Sequence, residues 1–147
     1  MTPSQILTEL RGDHARLRGM VANTRRIADR ARQGAPETER LLQALTALTA
    51  AVQNHCHREE ELLSRILRTV DAWGPARVEI MSEEHVQQHH ALYRALLHLP
   101  RTPTEFAGAG VADLLEELLD HMRHEEDTFL NAEVLNDEGP FSDAMSG

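Results

Sequence analysis

Residues 41–66 read LLQALTALTAAVQNHCHREEELLSRI, and the spacing of their apolar positions decides the fold. Leu41, Leu45, Leu48 and Val52 recur at the period of one face of an α-helix, and Leu62 and Ile66 resume the stripe further along. Between them the stripe is occupied by His55 and Glu59, which places an imidazole and a carboxylate one turn apart at core positions. An unpaired carboxylate is very costly to bury, so Glu59 needs a cation.

Working outward, the same anomaly recurs. Upstream, Thr2-Pro3-Ser4-Gln5 has the form of a helix start, with Thr2 as N-cap, Pro3 at the first helical position and Gln5 completing a capping box. That helix runs to about Arg32, and its inward stripe of Ile6, Leu10, His14, Leu17 and Val21 carries a histidine. Gly34-Ala35-Pro36 breaks the chain before the helix that ends near Val70, and Asp71 to Pro75 forms the next turn. A third helix spans roughly Ala76 to Leu99, with Val78, Met81, His85, His89, Leu92 and Leu96 inward, and Pro100 and Pro103 end it. The fourth covers about Thr104 to Leu130, with Leu114, Leu118, His121, Glu125 and Phe129 inward; Gly108 and Gly110 weaken its first turns and move the expected start towards Val111. Short connections between long amphipathic helices, with no alternating strand pattern, predict an all-α, up-down-up-down antiparallel four-helix bundle. The bundle is expected over residues 1–131 and a loose polar tail, broken by Gly139-Pro140, over 132–147.

The heights along such a bundle agree. Counted from the end where the first helix starts, His14, His55, Glu59, His85, His89, His121 and Glu125 all fall about one and a half to four turns in. Seven inward ligand-type residues in one layer suit a pair of six-coordinate ions bridged by carboxylates and a solvent oxygen. An imidazole-rich site favours iron, copper, nickel or zinc over magnesium or calcium, and the spacing does not choose among the four.

Composition narrows the partners. In 147 residues the formal net charge is −9, which argues against nucleic-acid and anionic-membrane surfaces. Cys56 is the lone cysteine, so neither an intramolecular disulfide nor a Cys-rich zinc site can form. The N-terminus lacks the basic start and apolar run of a signal peptide, no stretch reaches membrane-span length, and a cytoplasmic location is expected.

The ordered motifs Asp13-His14, His55-Cys56-His57-Arg58-Glu59, Glu84-His85-Val86-Gln87-Gln88-His89 and His121-Met122-Arg123-His124-Glu125-Glu126 resemble those of the hemerythrin and HHE cation-binding family, over nearly the whole chain from Ile6 to Leu130. The resemblance implies a non-haem di-iron cofactor, two iron ions held by oxo and carboxylate bridges with a position open to O2, peroxide or nitric oxide. Carried over by position, it implies metal ligands at His14, His55, Glu59, His85, His89, His121 and Glu125. In oxygen-carrying members the last carboxylate is an Asp five residues after the histidine, so Glu126 rivals Glu125. Two roles follow from the resemblance: binding or reacting with small oxidants, including catalase-like peroxide decomposition, or non-enzymatic iron or oxygen sensing or iron storage. The partner expected is a diatomic or peroxide ligand, with an electron donor and an oligomeric state that the sequence leaves open. Reversible O2 carriage is disfavoured by the scarcity of aromatics and by Cys56, which stands where many relatives have an aromatic residue.

Off the stripes, His57, His90, His98 and His124 read as surface residues, with a minor second role beside the centre for His57 or His124. Glu60, Glu61 and Asp127 read as a solvated acidic face. Tyr93 is expected to pack against the core within reach of the site, Cys56 to be a small buried hydrophobe, and Trp73 to cap one end of the bundle.

Overall fold

The computed structural model describes residues 1–138, so the part of the expected tail from 139 to 147, with Gly139-Pro140, lies outside the described residues. Four helices follow in chain order: α1 (Pro3–Arg32), α2 (Thr38–Val70), α3 (Gly74–His98) and α4 (Thr104–Thr128), with a short 3-10 turn over Leu99–Arg101. There is no strand among the described residues. Helix α1 packs on α4 and α2, and α2 packs on α3, whereas α3 and α4 are the adjacent pair that approach each other least.

The capping box forms as the residues predict: the Thr2 side chain accepts from the Gln5 backbone N–H, and the Gln5 side chain accepts from the Thr2 backbone N–H. Gly34, at φ +90°, takes the left-handed conformation that ends α1. Helix α3 starts two residues before the expected Ala76, because Pro75 fits a first turn, where its missing N–H costs nothing. Helix α4 starts at Thr104 rather than near Val111. Its Gly108 sits under the backbone of α1, where a Cβ would come within 2.5 Å of the Ala28 carbonyl oxygen. That glycine permits close helix packing, which offsets its low helix propensity.

Two apolar clusters fill the bundle. One, around Leu10, Leu63, Leu67, Met81 and Phe129, lies at the end where α1 begins; the other, around Leu17, Val52, Leu92 and Leu118, fills the rest. On each helix the ligand-type residues fall between them: His14 between Leu10 and Leu17, Glu59 between Cys56 and Leu63, His85 between Met81 and Leu92, Glu125 between Met122 and Phe129. The apolar layers fix the helices on both sides of a polar one.

Some side chains depart from expectation. Leu63 is fully buried and Leu62 only partly, a one-residue rotation of the α2 stripe below Glu59. Trp73 is 71 % exposed at the N-cap of α3 and caps nothing. The tail is not loose up to residue 138: Leu135 is buried against the first cluster, and Asp137 accepts hydrogen bonds from the backbone N–H and hydroxyl of Ser4. Val134 and Leu135 supply apolar area that closes this end of the bundle, which polar neighbours hide in the sequence.

Candidate metal centre

Each helix brings a histidine to the polar layer, and α2 and α4 each add a glutamate one turn from theirs. His14, His55, Glu59 and Glu125 form one group and Glu59, His85, His121 and Glu125 a second, with the donor atoms of each group within 4.8 Å of one another. Glu59 and Glu125 belong to both.

The two carboxylates are oriented as shared groups. Glu59 turns Oε2 to the first pair of histidines, 2.7 Å from His55 Nε2 and 3.6 Å from His14 Nε2, and Oε1 to His85 Nε2 at 3.1 Å. Glu125 turns Oε1 to His14 Nε2 at 3.3 Å and Oε2 to His121 Nε2 at 3.2 Å and His85 Nε2 at 3.5 Å. The Nε2 atoms of His14 and His55 also face each other, 3.1 Å apart. Despite such distances, Glu59 Oε2, Glu125 Oε2 and His121 Nε2 are buried without an aligned hydrogen bond. Buried polar atoms converge here without the aligned hydrogen bonds that would satisfy them all, an arrangement that a cation relieves.

Behind each histidine stands a second carboxylate. His14 Nδ1 donates to Glu126 at 2.8 Å, His55 Nδ1 to Asp13 at 3.2 Å and His85 Nδ1 to Glu60 at 3.2 Å, while Glu84 lies 3.3 Å from His121 Nδ1. These contacts run round the bundle in order: α1 supplies Asp13 to α2, α2 supplies Glu60 to α3, α3 supplies Glu84 to α4, and α4 supplies Glu126 to α1. A carboxylate on Nδ1 fixes the tautomer that leaves Nε2 free for the centre and makes the imidazole more basic. The outer carboxylates are anchored in turn, Glu126 by both terminal nitrogens of Arg18, Asp13 by Arg16 and Arg58, and Glu60 by the Ser82 hydroxyl.

Burial alone would lower the pKa of His14, but the Glu125, Glu59 and Glu126 carboxylates hold it up to about 10. His85 is raised for similar reasons, burial being outweighed by Cys56, Glu125 and Glu59. Against the cost of its own burial, Glu125 is kept well below the usual carboxylate range by its contacts with Glu59 and with His121, His14 and His85. A cation entering the layer displaces the histidine protons, so its binding is coupled to pH.

Of the residues singled out in the sequence, His14, His55, Glu59, His85, His121 and Glu125 come together. His89 joins neither group; its Nε2 is buried without a hydrogen-bond partner, and burial together with the nearby His85 charge lowers its pKa. Glu126 lies outside both groups, on the far side of the His14 ring. Glu60 is part of the centre's surroundings, and not of a solvated acidic face. Tyr93 is 51 % exposed and its hydroxyl accepts from Gln53 Nε2, away from the layer. His57, His90, His98 and His124 are exposed. Cys56 is buried, its thiol donates to Gln88 Oε1, and burial pushes its pKa up. Asp13 and Glu84 lie outside the set of site residues that the sequence pattern picks out. The available signal was an acidic residue directly beside a ligand-type one, which a helix turns by about 100° towards the neighbouring helix.

A cavity of about 20 Å³ borders the layer, lined by Leu17, Val52, Cys56, Gln88, Leu118 and Met122 with His55, His121 and Glu125. That is room for little more than one water-sized molecule. Among the described residues, no helix is long and apolar enough to cross a membrane.

Compared with known proteins, residues 5–132 match the sequence model of the hemerythrin HHE cation binding domain. No curated protein and no solved structure gives a match.

Proposed function

The chain belongs to the hemerythrin HHE cation-binding domain family, and from that premise we propose that it is a non-haem di-iron protein that binds or reacts with small oxidants, namely O2, hydrogen peroxide or nitric oxide. The observation that carries this reading is the sharing of Glu59 and Glu125 between the two groups, each carboxylate turning one oxygen to either side. The donor set fits iron: it is imidazole and carboxylate, and its buried unpartnered atoms at Glu59, Glu125 and His121 face inward on one another.

In this reading His14 and His55 would hold one ion and His85 and His121 the other, with Glu59 and Glu125 placed to serve both. His89, with its buried free Nε2, completes the second site. Bound there, iron would supply one-electron chemistry towards a small oxidant. The chain's own part is positional. Glu126, Asp13, Glu60 and Glu84 hold four imidazoles with Nε2 inward, and the apolar wall of Leu17, Val52 and Leu118 keeps bulk water off the layer. The size of the cavity suits a ligand of one or two heavy atoms.

The test is metal content and the optical spectrum of protein loaded with iron under anaerobic conditions, before and after O2 and then peroxide. About two irons per chain, with near-ultraviolet charge-transfer bands and peroxide loss above that of free iron, is the expected result. Zinc, a single metal or none overturns the di-iron reading. Two irons without turnover assigns the centre to iron or oxygen sensing or to iron storage.

A further inference from the structure

Among the six clustered residues, one is more open to solvent than the others. The cluster side chains of His14, His55, Glu59, His85 and Glu125 are at most 6 % exposed, whereas His121 is 13 % exposed. His121 faces the seam between α3 and α4, the pair of neighbouring helices that approach least closely. A surface groove of about 190 Å³ follows that seam, lined by Gln87, Ala91 and Leu114 and by the carboxylates Glu84 and Glu117. Gln88, Leu118 and His121 line both this groove and the small cavity at the layer. They are therefore a wall one side chain thick between solvent and centre. Leu118 is buried in the core and His121 belongs to the metal layer, so Gln88 is the member free to move; one contact, the Cys56 thiol on its Oε1, holds it across the opening.

We propose that the α3–α4 groove is the route by which a small neutral oxidant reaches the centre, with Gln88 as the residue that closes its inner end and the Glu84 and Glu117 carboxylates that line it selecting against anions. The route follows from the packing alone; the identity of what travels along it rests on the oxidant reading above. A neutral diatomic or hydrogen peroxide meets no electrostatic barrier in the groove, whereas an anion passing two carboxylates is repelled, the more so at low ionic strength.

Cys56 lets the route be tested without any metal. It is the only cysteine of the chain and it lines the inner cavity, so a single mass shift reports arrival there. The full-length protein is treated with neutral methyl methanethiosulfonate and with its anionic sulfonatoethyl analogue, and labelling is followed by intact mass. Ala91→Trp and, separately, Glu117→Trp fill the groove from its two walls; Glu117 is exposed, so the second variant keeps the test valid if the first fails to fold. Both are expected to slow neutral labelling several-fold. Gln88→Ala is expected to speed it, and the anionic reagent to lag the neutral one by a margin that shrinks with added salt. Labelling that ignores both tryptophans, or that proceeds at the rate of global unfolding in every variant, overturns the route and leaves the oxidant reading untouched. In iron-loaded protein, peroxide consumption that slows with Ala91→Trp in step with labelling supports the proposal; consumption that stays at the wild-type rate while labelling slows overturns it as the oxidant's path.

Discussion

Glu126 accepts the Nδ1 proton of His14 at 2.8 Å, while the preceding residue, Glu125, faces the Nε2 of the same ring at 3.3 Å. Adjacent carboxylates thus act on opposite sides of one imidazole, and they have different expected phenotypes. Glu125→Gln replaces one oxygen of a carboxylate shared by both groups and should lower metal stoichiometry. Glu126→Gln keeps the Nδ1 contact in weakened form; it should preserve stoichiometry while lowering affinity by about 10–100-fold. Equilibrium dialysis against a competing chelator separates the two. The reverse pattern would make Glu126 the shared carboxylate.

Removing metal should cost stability, because the layer holds protonated histidines and carboxylates whose inward atoms lack aligned partners. A ligand that binds only the folded state at a hundredfold over its Kd contributes about 2.7 kcal/mol. For a chain of this size each kcal/mol moves Tm by about 2–4 °C, so chelation should lower Tm by about 5–10 °C. Calorimetry with and without chelator measures it; equal Tm values would mean that the apo layer is already satisfied.

How far the sequence alone reached is visible at these same positions. Periodicity places His14, His55, Glu59, His85, His121 and Glu125 on inward stripes, and helical rise brings them to one height, since both depend only on local geometry. Which carboxylate backs which histidine depends on the rotation of one helix against another, and so Asp13, Glu60 and Glu84 stayed illegible although each adjoins a cluster residue. Register below the layer was lost for a like reason: Leu62 and Leu63 are equally apolar, and packing against α1 and α3 selects the second. Propensity misled at Gly108, whose role is set by the α1 backbone above it.

Two glycines two residues apart on α4 offer opposite outcomes. At Gly110 an added Cβ meets nothing within 4 Å, so Gly110→Ala should stabilise by about 0.5–1 kcal/mol through helix propensity. At Gly108 the same methyl would lie 2.5 Å from the Ala28 carbonyl oxygen and 2.8 Å from the Arg32 nitrogen, both backbone atoms that cannot swing aside. Gly108→Ala should therefore destabilise by about 1–3 kcal/mol by forcing α1 and α4 apart. Denaturant midpoints of the two variants test this, and a stabilised Gly108→Ala would deny the close approach.

The segment after α4 contributes to stability through a side chain and a cap. Leu135 is 1 % exposed in the apolar cluster beside the metal layer, so Leu135→Ala should cost about 2–5 kcal/mol, a value inconsistent with a free tail. Asp137 acts on the N-terminus of α1, where its carboxylate accepts from Ser4 and is thereby held below its usual pKa of 3.8. A carboxyl lowered on folding stabilises when ionised, so this contribution is present above pH 3.8 and is lost as the pH falls through the lower folded value. Asp137→Asn should accordingly reduce stability at neutral pH, and the gap between variant and wild type should close in acid. A pH-independent gap would assign the effect of the substitution to packing and not to the charged cap.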